Sequence, residues 1–252
     1  MRRLLVIGIG AGDPDHVTVQ AIKALNEADV LFVVEKEGGR ADLVHLRKEI
    51  CDRYVEGASY RIVEVADPAR DRKAADYRSA VEEWRGRRAE IWARAIREEL
   101  GEADCGAFLV WGDPALYDST LAVLEQVVAS GEVELECEVV PGISSVQALA
   151  ARHKVPLNRV GGAIQITTGR RLSDGLPDGV DDVVVMLDAD CSFRRLEGEA
   201  IDIYWGAYVG TEDELLVSGD LAEVAEEIES VRAEARERKG WIMDTYLLRR
   251  RG

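Results

Sequence analysis

The feature that most constrains this chain is a loop, Gly8-Ile9-Gly10-Ala11-Gly12-Asp13-Pro14. It follows a short apolar run (residues 4–8) and precedes a helical pattern. Glycines let a backbone turn tightly and approach a ligand or another strand closely. A glycine loop between strand and helix opens a β-α unit, and the sequence behind it repeats that alternation. Val17, Ala21, Ala24 and Leu25 share one helical face, with Asp15 as a candidate cap. Residues 30–34 form a continuous apolar run, as expected of a parallel strand buried on both faces. Residues 43–51 read as helix, 61–65 and 107–110 as strands, and 119–128 as helix. Residues 138–140 read as a strand stopped by Pro141-Gly142, after which Ser144 or Ser145 can open a helix. The charge-dense stretch 67–99 carries Trp84, Ile91, Trp92 and Ile96 at helical spacing, which predicts one or two amphipathic helices packed on the sheet.

The remainder has a different texture. Residues 164–167, 183–187, 201–204, 215–217 and 241–248 are strand-like, and one strong helix covers 222–238. The fold class expected is therefore α/β in two domains: residues 1–155 with a mostly parallel sheet, and 156–252 with a mixed sheet. The boundary is placed near 154–162, where Pro156, Gly161 and Gly162 fall.

Charge excludes one class of partner. The 252 residues hold 32 Lys plus Arg against 48 Asp plus Glu, a formal net charge of -16. A nucleic-acid groove needs a basic stripe, so a nucleic-acid partner is not expected. The four cysteines (51, 105, 137 and 191) contain no CxxC pair, which argues against a zinc site and for reduced thiols in the cytoplasm. Cys105 and Cys137 lie beside apolar runs and read as small core residues. The N-terminal apolar run is too short for a signal peptide or a membrane span, so no membrane partner is expected.

The first loop invites a dinucleotide reading, because Glu35 closes the second strand where a ribose-binding acid would sit. That reading requires glycine at position 13, where Asp13 would oppose a pyrophosphate. A purely structural turn is the bland alternative. No GxxxxGK[ST] run occurs, which excludes a P-loop.

Two further loops sharpen the picture: Trp111-Gly112-Asp113-Pro114-Ala115-Leu116-Tyr117 and Val140-Pro141-Gly142-Ile143-Ser144-Ser145. Each follows a predicted parallel strand, where open α/β sheets bind ligands. Taken with Gly8–Pro14 and Thr18, they resemble the GxGxGDPxxxT, GDPxxY and PGxSS hallmarks of the tetrapyrrole (precorrin/corrin) methylase family. The likeness runs over nearly the whole chain. It is greatest to the deacetylating members, on the charged insertion with Trp84 and Trp92, on residues 111–120 and on Tyr204–Gly210.

The resemblance implies two α/β domains with a cofactor cleft between them, usually in a homodimer. It implies S-adenosylmethionine as cofactor, with S-adenosylhomocysteine as its product, and a small-molecule tetrapyrrole substrate. The implied reaction methylates C-1 of a corrinoid precursor, precorrin-5, and releases its C-20 acetyl group as acetate, with no metal. Carried over residue by residue, cofactor contacts fall on Ala11, Gly112, Asp113, Ser144, Ser145, Met186 and Ala207. Leu116 and Tyr117 border the adenosine side. Ser144 reads equally as a helix cap, and Met186 as core.

A general base would assist acetyl loss, the alternative being that the substrate's own electronics drive it. Asp13, Asp113 and Tyr117 are the loop candidates, with His45 and His153 behind them, and the residues do not choose. The substrate's carboxylates call for cations that the overall charge does not supply, and Arg70, Arg72, Lys73, Arg170 and Arg171 are candidates. The competing readings are another methyltransferase of the same fold (another precorrin methylase, a diphthine-synthase-like enzyme or a ribosomal-RNA methyltransferase) and a non-catalytic nucleotide-binding regulatory module.

Overall fold

Apolar runs with both faces buried dictate the first half of the molecule. The computed structural model describes residues 1–35, 41–57, 60–69, 76–172 and 175–251. By compactness the chain divides into two units, Met1–Ile143 and Ser144–Gly252. The first runs β1 (Arg2–Gly8), α1 (Val19–Glu27), β2 (Val30–Glu35), α2 (Ala41–Tyr54), β3 (Arg61–Ala66), α3 (Tyr77–Glu99), β4 (Cys105–Val110), α4 (Thr120–Ser130) and β5 (Leu135–Val140).

All five strands are parallel, in the order β3-β2-β4-β1-β5. Alternate residues of each strand serve opposite layers. Leu5, Ile7, Leu31, Ala107 and Leu109 pack with Ala21, Ala24 and Leu25 of α1 and with Leu46 and Ile50 of α2. Leu4, Val6, Val30, Phe32 and Phe108 pack with Trp92, Ala93 and Ile96 of α3 and with Val123, Leu124 and Val127 of α4. Trp92 is fully buried, its ring stacked 4.3 Å from that of Phe108. Trp92→Ala should therefore cost about 3–5 kcal/mol of stability. Urea unfolding checks this, and a midpoint equal to wild type would refute it.

Among the described residues of 67–99 there is one helix, α3, within the one or two expected. α1 is capped by Thr18, whose Oγ1 accepts from Ala21 N at 3.0 Å. Asp15 does not cap it: it lies inside a 3-10 turn, Pro14–His16, that Asp13 caps. Cys105 is buried as expected, but Cys137 is exposed, because the outer strand β5 is covered on neither face at that position.

The second unit runs α5 (Ser145–His153), β6 (Ile164–Thr168), α6 (Gly169–Leu172), β7 (Asp182–Met186), a 3-10 turn (Ser192–Leu196), β8 (Ile201–Ala207), β9 (Leu215–Asp220), α7 (Leu221–Lys239) and β10 (Asp244–Arg250). Its sheet is mixed: the order is β6-β7-β10-β8-β9, with β6 and β7 parallel and the other pairs antiparallel. The unit boundary falls twelve residues before the expected 155/156. α5 consequently belongs here, where it packs on β8 and β10. Among the described residues, no helix is long and apolar enough to cross a membrane.

Candidate active site

Topology marks the site before any side chain does. β1 and β4 are neighbours, yet the chain leaves β1 for a helix on one face and β4 for a helix on the other. The two connections therefore part above the strand ends and open a crevice there, the usual ligand position of such sheets. The loops after β1 and β4 meet at this point. Gly10 and Gly112 form a small antiparallel bridge, with Gly112 N donating to Gly10 O at 2.8 Å and Gly10 N to Gly112 O at 3.3 Å.

The loop after β5 closes on the same spot. A Cβ on Gly142 would lie 2.1 Å from Gly112 O, and one on Gly8 would lie 2.6 Å from Gly142 N. Only glycine allows backbones this close. Three loops thus present bare backbone around one point.

Asp113 fastens them. Its Oδ2 accepts from Gly142 N at 2.9 Å and its Oδ1 from Ala115 N at 2.9 Å. Both carboxylate oxygens are engaged by backbone, so this side chain sets geometry. Among the described residues Asp13 spends only Oδ1, which accepts from Asp15 N at 2.8 Å. The turn that Asp13 caps is held by α2: Tyr54 Oη donates to Pro14 O at 3.2 Å and Arg53 pairs with Asp15 at 2.6 Å. Tyr117 stands at the loop tip with φ of 52° and is 46% exposed. Partial desolvation pushes the phenol above its ordinary value, and a phenol is in any case neutral near pH 7. Ala11 and Gly112 are buried beside them.

The other expected contacts lie in the second unit. Ser144 is buried and caps α5, its Oγ accepting from Val146 N at 3.2 Å, with Ser145 half-buried beside it. Met186 ends β7 and Ala207 ends β8. The two strands flank β10 and run in the same direction, so both residues sit at one edge of the sheet.

Sequence reasoning missed what supports that edge. Asp188 is buried two residues after Met186. It accepts from Tyr246 Oη at 2.6 Å, Ser192 N at 2.7 Å, Ser192 Oγ at 2.9 Å and Asp190 N at 3.1 Å. Burial, with Asp188 beside it, drives the Tyr246 phenol far above its ordinary value, so it is a permanent donor. Leu187, between Met186 and Asp188, is held at φ of 54° with its side chain exposed.

Arg70, Arg72 and Lys73 lie outside the described residues. Arg170 and Arg171 are exposed on α6, and His45 is exposed on α2. His153 is half-buried with Nε2 3.0 Å from Trp205 O, and burial lowers its pKa.

The model of the tetrapyrrole (corrin/porphyrin) methylases matches residues 3–225. This chain belongs to that family. A precorrin-6A synthase [deacetylating] from Sinorhizobium sp. is 50% identical over 250 residues, covering 99% of this chain and 96% of the relative. Among solved structures, a cobalamin synthesis related protein (CobF) from Corynebacterium diphtheriae is 38% identical, with a TM-score of 0.86 over 99% of this chain and 98% of that one. A uroporphyrin-III C-methyltransferase from Thermus thermophilus, complexed with S-adenosylhomocysteine, shares the fold at 19% identity and a TM-score of 0.60, over 98% of this chain and 91% of that one.

Proposed function

We propose that this chain is an S-adenosylmethionine-dependent C-methyltransferase of cobalamin biosynthesis, which methylates precorrin-5 at C-1 and releases acetate to give precorrin-6A. The observation that carries this is the 50% identity, over 96% of its length, to a deacetylating precorrin-6A synthase. The family and its solved member with S-adenosylhomocysteine support the cofactor. The first unit fits it: Gly8 and Gly142 let the three loops close on one another beside the Gly10–Gly112 bridge, and Asp113 fixes that arrangement.

The cofactor supplies an electrophilic methyl group, so the protein's work is mainly alignment and exclusion of water. The proposed contacts are Ala11, Gly112 and Asp113 in the first unit and Ser144, Ser145, Met186 and Ala207 in the second. Among the proposed catalytic residues the roles separate. Asp113, with both oxygens engaged, holds the loops. Tyr117, a neutral phenol, donates a hydrogen bond. Asp13 makes no hydrogen bond through Oδ2 among the described residues and accepts the proton that acetyl loss requires. A homodimer in the cytoplasm completes the reading, on the family's likeness and on the reduced thiols.

The test is an assay with precorrin-5 and S-adenosylmethionine. S-adenosylhomocysteine and acetate should appear in equal amounts. Methyl transfer without acetate would point to another precorrin methylase. Cofactor binding with no transfer to any precorrin would favour the regulatory module. Light scattering reads the assembly, with twice the chain mass expected.

A further inference from the structure

Helix α3 carries a cation where its apolar face should continue. Trp84, Arg88 and Trp92 are spaced i, i+4 and i+8 and so stack along one side of the helix. The Arg88 guanidinium lies 4.5 Å from the Trp84 ring centre and 4.9 Å from that of Trp92, with its side chain 6% exposed. A cation buried this deeply is costly unless it is paired. Nε lies 2.8 Å from Oδ1 of Asp67, the first residue after β3. That contact is an ion pair outside hydrogen-bond alignment, so the aligned bond is the one Nη1 donates to Ser119 Oγ at 2.7 Å.

Ser119 stands at the N-cap of α4, yet its side chain caps nothing. Asp118 takes that task, its Oδ1 accepting from Thr120 N at 2.7 Å. The Ser119 hydroxyl is therefore committed to α3. The segment it ends carries Gly112, Asp113, Leu116 and Tyr117. That segment is fastened at its start by the Gly10–Gly112 bridge and in its middle by Asp113. Arg88 fastens its far end.

We propose that Arg88 is a positioning residue. Wedged between two tryptophans of the insertion helix and paired with Asp67, it fixes Ser119 and so sets where Tyr117 stands over the crevice. The inference rests on the reading of this loop as the cofactor- and substrate-facing one. It assigns the charged insertion a task in the chemistry rather than in the core alone.

The test uses Ser119→Ala, which removes only the hydroxyl, with Arg88→Met and Arg88→Lys beside it. Hydrogen exchange of the full-length protein is measured first. Amides of residues 115–120 should exchange about 10-fold faster in Ser119→Ala and Arg88→Met, the effect of losing one charge-assisted bond. Those of β1 and β4 should stay as protected as in wild type. With precorrin-5, kcat should fall about 10-fold while the affinity for S-adenosylhomocysteine changes less than 3-fold, and Arg88→Lys should recover part of the loss. Unchanged exchange in Ser119→Ala would overturn the proposal, as would a loss of protection spread evenly through the first unit. The exchange comparison needs no turnover, so a wild type inactive on precorrin-5 would count against the proposed reaction and not against the positioning.

Discussion

Asp113→Ala should weaken S-adenosylhomocysteine binding about 10- to 100-fold while leaving the protein folded. The carboxylate accepts from Gly142 N with one oxygen and from Ala115 N with the other. Bonds to a charged acceptor are among the stronger ones, and alanine leaves both N–H groups without their partner. The parallel sheet beneath does not depend on them, because its core lies in the alternating apolar residues of the strands. Two loops should loosen at a point where Gly112 and Gly142 are close enough to exclude any Cβ. Asp113→Asn separates geometry from charge. Its amide keeps one acceptor oxygen and turns an NH2 toward the other donor, so an intermediate loss is expected. Calorimetric titration reads both variants. Wild-type affinity in Asp113→Ala would show either that the loops hold without the clamp or that the site lies elsewhere.

These loops are legible in sequence because glycine and proline record a local demand. Gly10 lies at a φ of 84°, and Pro14 opens the turn that Asp13 caps. The parallel sheet is legible too, since strands buried on both faces must be apolar throughout, as residues 4–7 and 107–110 are. Local chemistry misleads where two residues can perform the same task. Asp15 and Thr18 are both competent caps, and the 3-10 turn claims the former. Burial of a short strand at the edge of a sheet is set by its neighbours, which is why Cys137 is exposed. The supports of the site are the least visible, because they pair residues far apart in the chain. Arg88 meets Asp67 and Ser119, and Asp188 meets Tyr246. A signal exists nevertheless. Arg88 falls on the Trp84–Trp92 face, and Arg232 falls on the α7 stripe with Leu221, Ala225, Ile228 and Ala235. A cation in an apolar stripe implies a buried partner.

That partner makes Arg232 the most consequential position for the second unit. Its Nε lies 2.9 Å from Asp244 Oδ2, with the two side chains 8% and 5% exposed. The same oxygen accepts from Trp205 Nε1 at 3.1 Å, and Arg232 Nη2 donates to Asp188 O at 2.7 Å. The pair thus joins α7, β8, the start of β10 and the loop after Met186. Replacing both charges by apolar groups would be tolerable, but removing one leaves the other buried and uncompensated. Arg232→Met should therefore cost about 3–5 kcal/mol, and Asp244→Ala a similar amount. The double variant should recover much of that loss, because the stranded charge is gone. Urea unfolding of the three variants gives the cycle. Single variants within 1 kcal/mol of wild type would mean that water reaches the pair and solvates the survivor. A double variant as unstable as the sum of the singles would mean that each residue acts through its own backbone contacts, Arg232 through Asp188 O foremost.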